Sequence, residues 1–270
     1  MKKKKKLLIL LLMVPTLCAA QIETDSSRAI LFNANPRYRS NVVGVGGVYL
    51  KNTYISPLTH RGVAVDYSFN QTRYRKKGVS DLFFDLTADV LNILNFQLKY
   101  GHFRHLLVYS RENLFFYAGA GSSADLSVAI NPNSAGYNAA AVTANGNLLP
   151  SVMLKYRLRL FSQNFDLSQQ ISTPLVGYGI YPRYSWILDY HPFSDASAAS
   201  ASLFFTSLHN RWGLSSRTCI DWRFKERRSG VEKNSFLRFG YWYEGSRVNF
   251  DGHSYQLSRG TFFVGTIRKF

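Results

Sequence analysis

Six histidines, His60, His102, His105, His191, His209 and His253, are the residues best suited to move a proton near neutral pH. A hydrolase would need one of them within reach of a serine hydroxyl and steered by a carboxylate or amide. The spacing does not assemble that set. His102 and His105 stand three positions apart, so a strand turns them to opposite faces, and His209 and Asn210 are opposed in the same way. No Gly-x-Ser-x-Gly elbow occurs. His-x-x-His at 102–105 would pair two metal ligands on a helix but not on a strand, and no Cys partner exists. Gly44-Val45-Gly46-Gly47 lacks the Lys-Ser/Thr and the helix of a phosphate loop, and reads as small residues in a strand. Catalytic, metal and cofactor residues are therefore not expected.

The residues that could do most are charged, and they sit on a particular kind of segment. Val63, Val65, Tyr67 and Phe69 alternate with Ala64, Asp66, Ser68 and Asn70. Leu82 to Val90 alternates with Asp81, Asp85 and Asp89, and Val152 to Leu160 with Lys155, Arg157 and Arg159. Trp212 to Phe224 opposes Arg211, Arg217, Asp221 and Arg223, and Leu237 to Tyr243 opposes Arg238 and Glu244. Successive strand side chains point to opposite faces, so each segment has one apolar wall and one ionic wall. Ten strands are predicted, at about 40–51, 58–73, 80–91, 95–108, 113–128, 147–161, 163–174, 203–224, 234–249 and 254–270. The connections 129–146 and 175–202 read as loops, rich in small residues at 129–146 and 195–202.

Such alternation suits a soluble sandwich or a membrane barrel. Three features favour the barrel. The strands run past the usual five or six residues, aromatics crowd their ends, and the ionic walls carry both signs of charge along their length. The expectation is an all-β, transmembrane, antiparallel up-and-down barrel of about ten strands, with eight to twelve allowed. Placing the N-terminus in the periplasm puts the two longest connections outside and the shortest, at Ser162, in the periplasm.

Of the 270 residues, 46% are hydrophobic, 15% aromatic and only 18% charged, which excludes a disordered chain. Lys2 to Lys6, the apolar run Leu7 to Val14 and Cys18-Ala19-Ala20 form an export signal. The domain plan is a cleaved signal peptide at 1–20 and one barrel domain at 21–270. The whole chain carries +17, and loss of five leader lysines leaves +12. Basic and aromatic residues lie on opposite walls, so they cannot stack on and neutralise a nucleic-acid strand together. The partners expected are instead outer-membrane lipid and lipopolysaccharide. Cys219 would be the only cysteine left, a small packed residue with no disulfide partner.

A ten-stranded lumen lies close to the size that side chains fill. Asp66, Asp81, Asp85, Asp89, Asp166, Asp221 and Glu244 would face Lys99, Lys155, Arg157, Arg159, Arg211, Arg217, Arg223 and Arg238 there. Buried charges need partners, so a salt-bridged plug is the first expectation. An ion path or anion site around Lys155, Arg157 and Arg159 is the alternative.

Asn52-Thr53-Tyr54-Ile55-Ser56-Pro57-Leu58, followed by Gly62, resembles the Asp-Thr-Tyr-Leu-Ser-Pro-Leu signature of a Bacteroidetes outer-membrane family of unknown function. Echoes follow in the same order at Tyr156-Arg157, Pro174 to Gly177, Tyr181-Pro182, Leu208 to Asn210 and Leu237 to Tyr241. The resemblance implies an exported β-barrel in the outer membrane of a Gram-negative bacterium and brings no activity. Asn52 replaces the family's Asp, which argues against a carboxylate role at that site. Ser56-Pro57 suits a turn. Phe270 ends the chain with the aromatic typical of clients of the barrel assembly machinery, although Thr266 and Arg268 interrupt its apolar register.

The functional expectation is a monomeric, non-enzymatic barrel, structural or surface-binding, with a mostly closed lumen. A narrow channel and a lipid-modifying hydrolase are the alternatives.

Overall fold

The computed structural model describes residues 36–53, 56, 58–75, 77–132, 140–160, 163–182, 201–223, 235–250 and 253–270. The proposed leader, Tyr54, Pro57 and His191 lie outside the described residues. Twelve strands form one sheet: β1 (Arg37–Asn52), β2 (Thr59–Arg75), β3 (Gly78–Val90), β4 (Leu94–Arg111), β5 (Leu114–Ile130), β6 (Ala140–Leu160), β7 (Gln163–Ser172), β8 (Val176–Pro182), β9 (Ala201–Ser207), β10 (Arg211–Arg223), β11 (Ser235–Phe250) and β12 (His253–Lys269). Ten of them close into an antiparallel ring, β1-β2-β3-β4-β5-β6-β7-β10-β11-β12, with β12 pairing back onto β1. Closure leaves no second layer for the apolar wall to face, so the sandwich arrangement is excluded.

The expected number of strands in the ring is therefore correct, but three boundaries change, the first being that the strand expected at 203–224 is two, β9 and β10, broken at Leu208-His209-Asn210. Connection 175–202 is not all loop: β8 and β9 form a hairpin there, and β8 continues the path of β7 along β6. Connection 129–146 is also shorter than expected, because β5 and β6 stay paired out to Ile130 and Ala140. Small residues made both stretches look like loops, yet backbone pairing there needs no large side chains. The hairpins β5–β6 and β8–β9 consequently make up one side of the mouth. Between Ser172 and Val176 β7–β8 has three residues, whereas Ser207 and Ser215 are separated by seven. The excess is taken up in a sideways step at Leu208-His209-Asn210, where the Asn210 side chain accepts from Ser207 N at 2.9 Å and donates to Phe205 O at 2.9 Å.

Side chains alternate as the pattern requires. On β1 the even positions Tyr38, Ser40, Val42, Val48, Leu50 and Asn52 are buried, while Val43 and Val45 lie open on the outside. Phe262, on the same wall, is 69% exposed, and an apolar belt of that kind around a ring calls for an apolar surround. The inner wall departs from the expected division. It is not purely ionic: Phe83, Phe103, Phe115, Tyr117, Leu149, Met153, Trp242 and Phe263 are buried inside along with the charges. A narrow lumen must be filled, and charged side chains alone leave gaps that large rings close.

Gly46 marks the seam between β1 and β12. A Cβ there would stand 1.9 Å from the Gly260 carbonyl oxygen and 2.6 Å from Thr261 Cα, so the two backbones approach too closely for any side chain.

Candidate functional site in the barrel lumen

The lumen holds three tiers of charge. Nearest the mouth, Arg259 on β12 reaches across the ring to Asp89 on β3 through two bonds of 3.0 and 2.6 Å. Its third nitrogen donates to Gln97 Oε1 at 2.9 Å and stands 3.5 Å from Glu244 Oε2. Lys99 on β4 donates to Glu244 on β11 at 2.7 Å, and Asn95 and Ser127 extend the chain of bonds from Asp89. Beside this group Asp125 accepts from Asn145 at 2.8 Å and Asn147 at 3.3 Å, while Tyr181 donates to Asn145 at 3.0 Å. Gly177 and Gly179 on β8 leave the room these asparagines and Tyr181 occupy.

The middle tier is Asp85 with Arg217, 3.1 Å apart across the ring, and Ser68 donates to the same carboxylate. Arg217 lies over the Trp242 ring at 4.8 Å, and Phe83, Phe103 and Leu149 pack into one apolar cluster there. A cation over an aromatic face suits a site too narrow for water. Toward the termini Arg238 grips Asp221 with bonds of 2.7 and 2.8 Å. Arg157 lies 3.2 Å from Asp166, which also pairs with Arg223, and Lys155 donates to the Tyr74 hydroxyl. Tyr38, Phe236 and Ile267 pack across that end.

Of the charges expected inside, Asp85, Asp89, Asp166, Asp221, Glu244, Lys99, Lys155, Arg157, Arg217, Arg223 and Arg238 are brought together in these tiers. Arg211 reaches Asn147 at the mouth rather than a carboxylate, and Arg159 is exposed at the terminal rim. Asp66 is buried, and neither oxygen makes a well-aligned hydrogen bond, although the Thr87 and Thr261 hydroxyls and the Arg259 guanidinium lie nearby. Asp66→Asn is thus expected to leave stability unchanged or raise it, whereas Asp89→Asn should lower it by about 2 kcal/mol. Urea titration of the refolded variants separates the two. Sequence reading missed Arg259 and Asp125. The first was legible, since Phe262 and Val264 face outward and fix the parity of β12; the second sits among Ala, Gly and Ser that alternate too weakly to show a face.

The spaces left in the lumen are small. Among the described residues its cavities measure about 20 to 40 Å³, room for a few waters each. Among the described residues three serine–histidine contacts are seen, and none of them forms a catalytic set. His105 Nε2 meets Ser151 Oγ at 2.9 Å, but Asp81 stands 3.9 Å from the other ring nitrogen, too far for a hydrogen bond, and the group is enclosed. His102 meets Ser80 at 2.9 Å on the outer wall, and His209 contacts Ser207 in the sideways step. On the described strands every carboxylate faces inward, so neither of these outer pairs has one to orient its imidazole. No group of three or more His, Cys, Asp or Glu suited to a metal ion occurs among the described residues. Cys219 is a buried free thiol packed against Val42, Trp242 and Phe263.

The described residues of the family-like segment, Asn52, Thr53, Ser56 and Leu58, lie at the end of β1 and in the connection to β2. Thr53 Oγ1 donates to Ser254 O at 3.2 Å and accepts from Ser254 N at 2.8 Å, tying the β1–β2 connection to β12. Ser56 N donates to Asn52 O at 2.9 Å, and Leu58 N donates to Ser56 Oγ at 3.2 Å. Asn52 is buried at the mouth.

Among solved structures the chain is similar to the outer membrane protease OmpT from Escherichia coli, at 8% identity and a TM-score of 0.46, covering 88% of this chain and 98% of that one. It is also similar to the translocator domain of the autotransporter NalP from Neisseria meningitidis, at 8% identity and a TM-score of 0.45, covering 100% of this chain and 96% of that one. Neisserial surface protein A is similar at 12% identity and a TM-score of 0.33, over 86% of this chain and 97% of that one. These likenesses are too distant to carry an activity across. A search of curated proteins finds no match to the sequence. Residues 6–270 match the family described as "Protein of unknown function (DUF3316)", and the chain belongs to that family.

Proposed function

We propose that the protein is a monomeric, non-enzymatic barrel of the outer membrane, closed through its centre, that works as a structural or surface-binding element. The observation that carries this reading is the set of ion pairs spanning the lumen, Arg259–Asp89, Lys99–Glu244 and Arg217–Asp85, with cavities of only a few waters between them. Charges paired this tightly in a narrow tube act as a stopper, because freeing any one of them leaves another unpaired. The exposed apolar belt supports the membrane, and the leader-like residues 1–20 support export. On this reading residues 21–270 form the mature barrel, Phe270 serves recognition by the barrel assembly machinery, and Asn52 to Leu58 is the signature turn of a Bacteroidetes family. Recognition then falls to the hairpins and connections at the mouth, which the ring holds at the membrane surface.

Planar-bilayer recording tests the stopper. Wild-type protein is expected to give no steady conductance steps, and Arg217→Ala with Trp242→Ala should stay closed too, because the tiers above and below are untouched. Steps from the wild type would overturn the closed reading in favour of the channel. The serine–histidine contacts at His102 and His209 are the basis for a hydrolase reading. His102→Ala and His209→Ala are expected to leave the lipid profile of the producing cells unchanged, and altered lysolipid content in either would restore the enzyme.

A further inference from the structure

An open trough of about 410 Å³ lies not in the lumen but on the outer wall, where β10, β11, β12 and β1 meet near the mouth. That volume falls within the range of about 300–1,000 Å³ found for ligand sites. At its floor Gly245 on β11 pairs directly with Ser258 on β12, and the Tyr243 ring lies over Gly245 with its hydroxyl 3.5 Å from Ser258 Oγ. Aromatic side chains wall it, with Trp212 and Tyr243 on one side and Tyr49 on the other. Just above the floor the register lines up Trp212, Arg247, Gln256 and Lys51 as direct neighbours on four successive strands. Arg61 is paired with Tyr49 on the next strand, β2.

Arg247 thus lines the trough, Lys51 and Arg61 flank it beyond Gln256 and Tyr49, and no carboxylate on the described strands faces outward to neutralise them. Arg247 and Arg61 are three strand spacings and two residues apart, about 16 Å at ~4.8 Å per spacing and ~3.4 Å per residue. That is too wide for one phosphate and suits a headgroup that carries two. Polar Gln256 and Ser258 between aromatic walls match sugar hydroxyls and sugar faces, and the trough below, opening onto the apolar belt, matches an acyl chain. From these features we infer that the trough binds a diphosphorylated glycolipid of the lipid A type, its phosphates held by Arg247, Lys51 and Arg61. The inference rests on the outer-membrane reading above and gives it a specific lipid site.

The test uses full-length protein refolded into phosphatidylcholine vesicles doped with diphosphoryl lipid A, with phosphatidylglycerol-doped vesicles alongside. After extraction in detergent, native mass spectrometry counts the lipid retained per barrel. Wild-type protein is expected to keep lipid A and to lose phosphatidylglycerol. Arg247→Gln combined with Lys51→Gln and Arg61→Gln should weaken retention about tenfold or more, since a single charge-assisted contact is worth that much. Ser258→Leu, which fills the floor without touching a charge, should weaken it too, while both variants keep wild-type heat-modifiable gel mobility. Unchanged retention in both variants, or equal retention of phosphatidylglycerol, overturns the site. Failure of the wild type to insert or to show heat-modifiable mobility overturns the membrane reading; insertion without lipid A retention overturns only the site.

Discussion

Arg259→Leu is expected to destabilise the folded barrel by about 3–5 kcal/mol, the usual result of removing one partner from a buried ion pair. Arg259 is only 2% exposed and holds Asp89, Gln97 and Glu244 at once. Without it Asp89 keeps one bond, from Asn95 at 2.7 Å, and its charge stays buried. Glu244 is less affected because Lys99 remains at 2.7 Å. Exchanging both members of the pair, Asp89→Leu with Arg259→Met, should recover most of the loss, since hydrophobic replacements of similar volume are often tolerated where a lone charge is not. Urea midpoints of protein refolded in vesicles measure this. A single variant as stable as the wild type would show that the pair is hydrated and contributes nothing.

Gly46→Ala should be nearly as damaging for a different reason. Its new methyl carbon would fall 1.9 Å from a backbone carbonyl oxygen of β12, and a backbone atom cannot swing aside as a side-chain tip can. The seam between β1 and β12 must open or bend, at a cost of about 3 kcal/mol or more for overpacking against fixed atoms. The neighbouring residue is the control. A Cβ at Gly47 meets nothing within 4 Å, so Gly47→Ala should change stability by less than about 0.5 kcal/mol. The fraction of each variant that refolds to the heat-modifiable form reads out the contrast. Equal yields from both would mean that the seam is looser than its geometry indicates.

How much of this was legible beforehand depended on which physical signal each residue carries. The facing of Val63, Leu86, Leu154 and Tyr241 followed from period-two alternation, and the ring of ten strands followed with it. The same parity placed Arg217, Asp221 and Arg238 inward, but could not pair them. Asp85 and Arg217 are 132 positions apart and meet only because the sheet curls, and cross-lumen distance leaves no trace in local pattern. Phe83, Phe103 and Trp242 were hidden by the assumption that apolar means outward, which fails wherever a narrow interior must be filled. The hairpin at Val176 to Ser207 was hidden because Gly177 and Gly179 look like loop residues, although here they make space for Asn145, Tyr181 and Phe204. The outer trough depends on register between β11, β12 and β1, which alternation alone does not set.

The three ion pairs across the tube share one property: each joins strands that are not neighbours along the chain's own path, β12 with β3, β4 with β11, β3 with β10. In an open sheet of the same hairpins these groups would lie tens of ångströms apart, each fully hydrated. Their desolvation therefore cannot proceed hairpin by hairpin; it waits for the first and last strands to zip together. Assembly should accordingly be all-or-none, with half-inserted forms gaining little, and a barrel once sealed should come apart slowly, since any exit requires wetting every tier at the same moment.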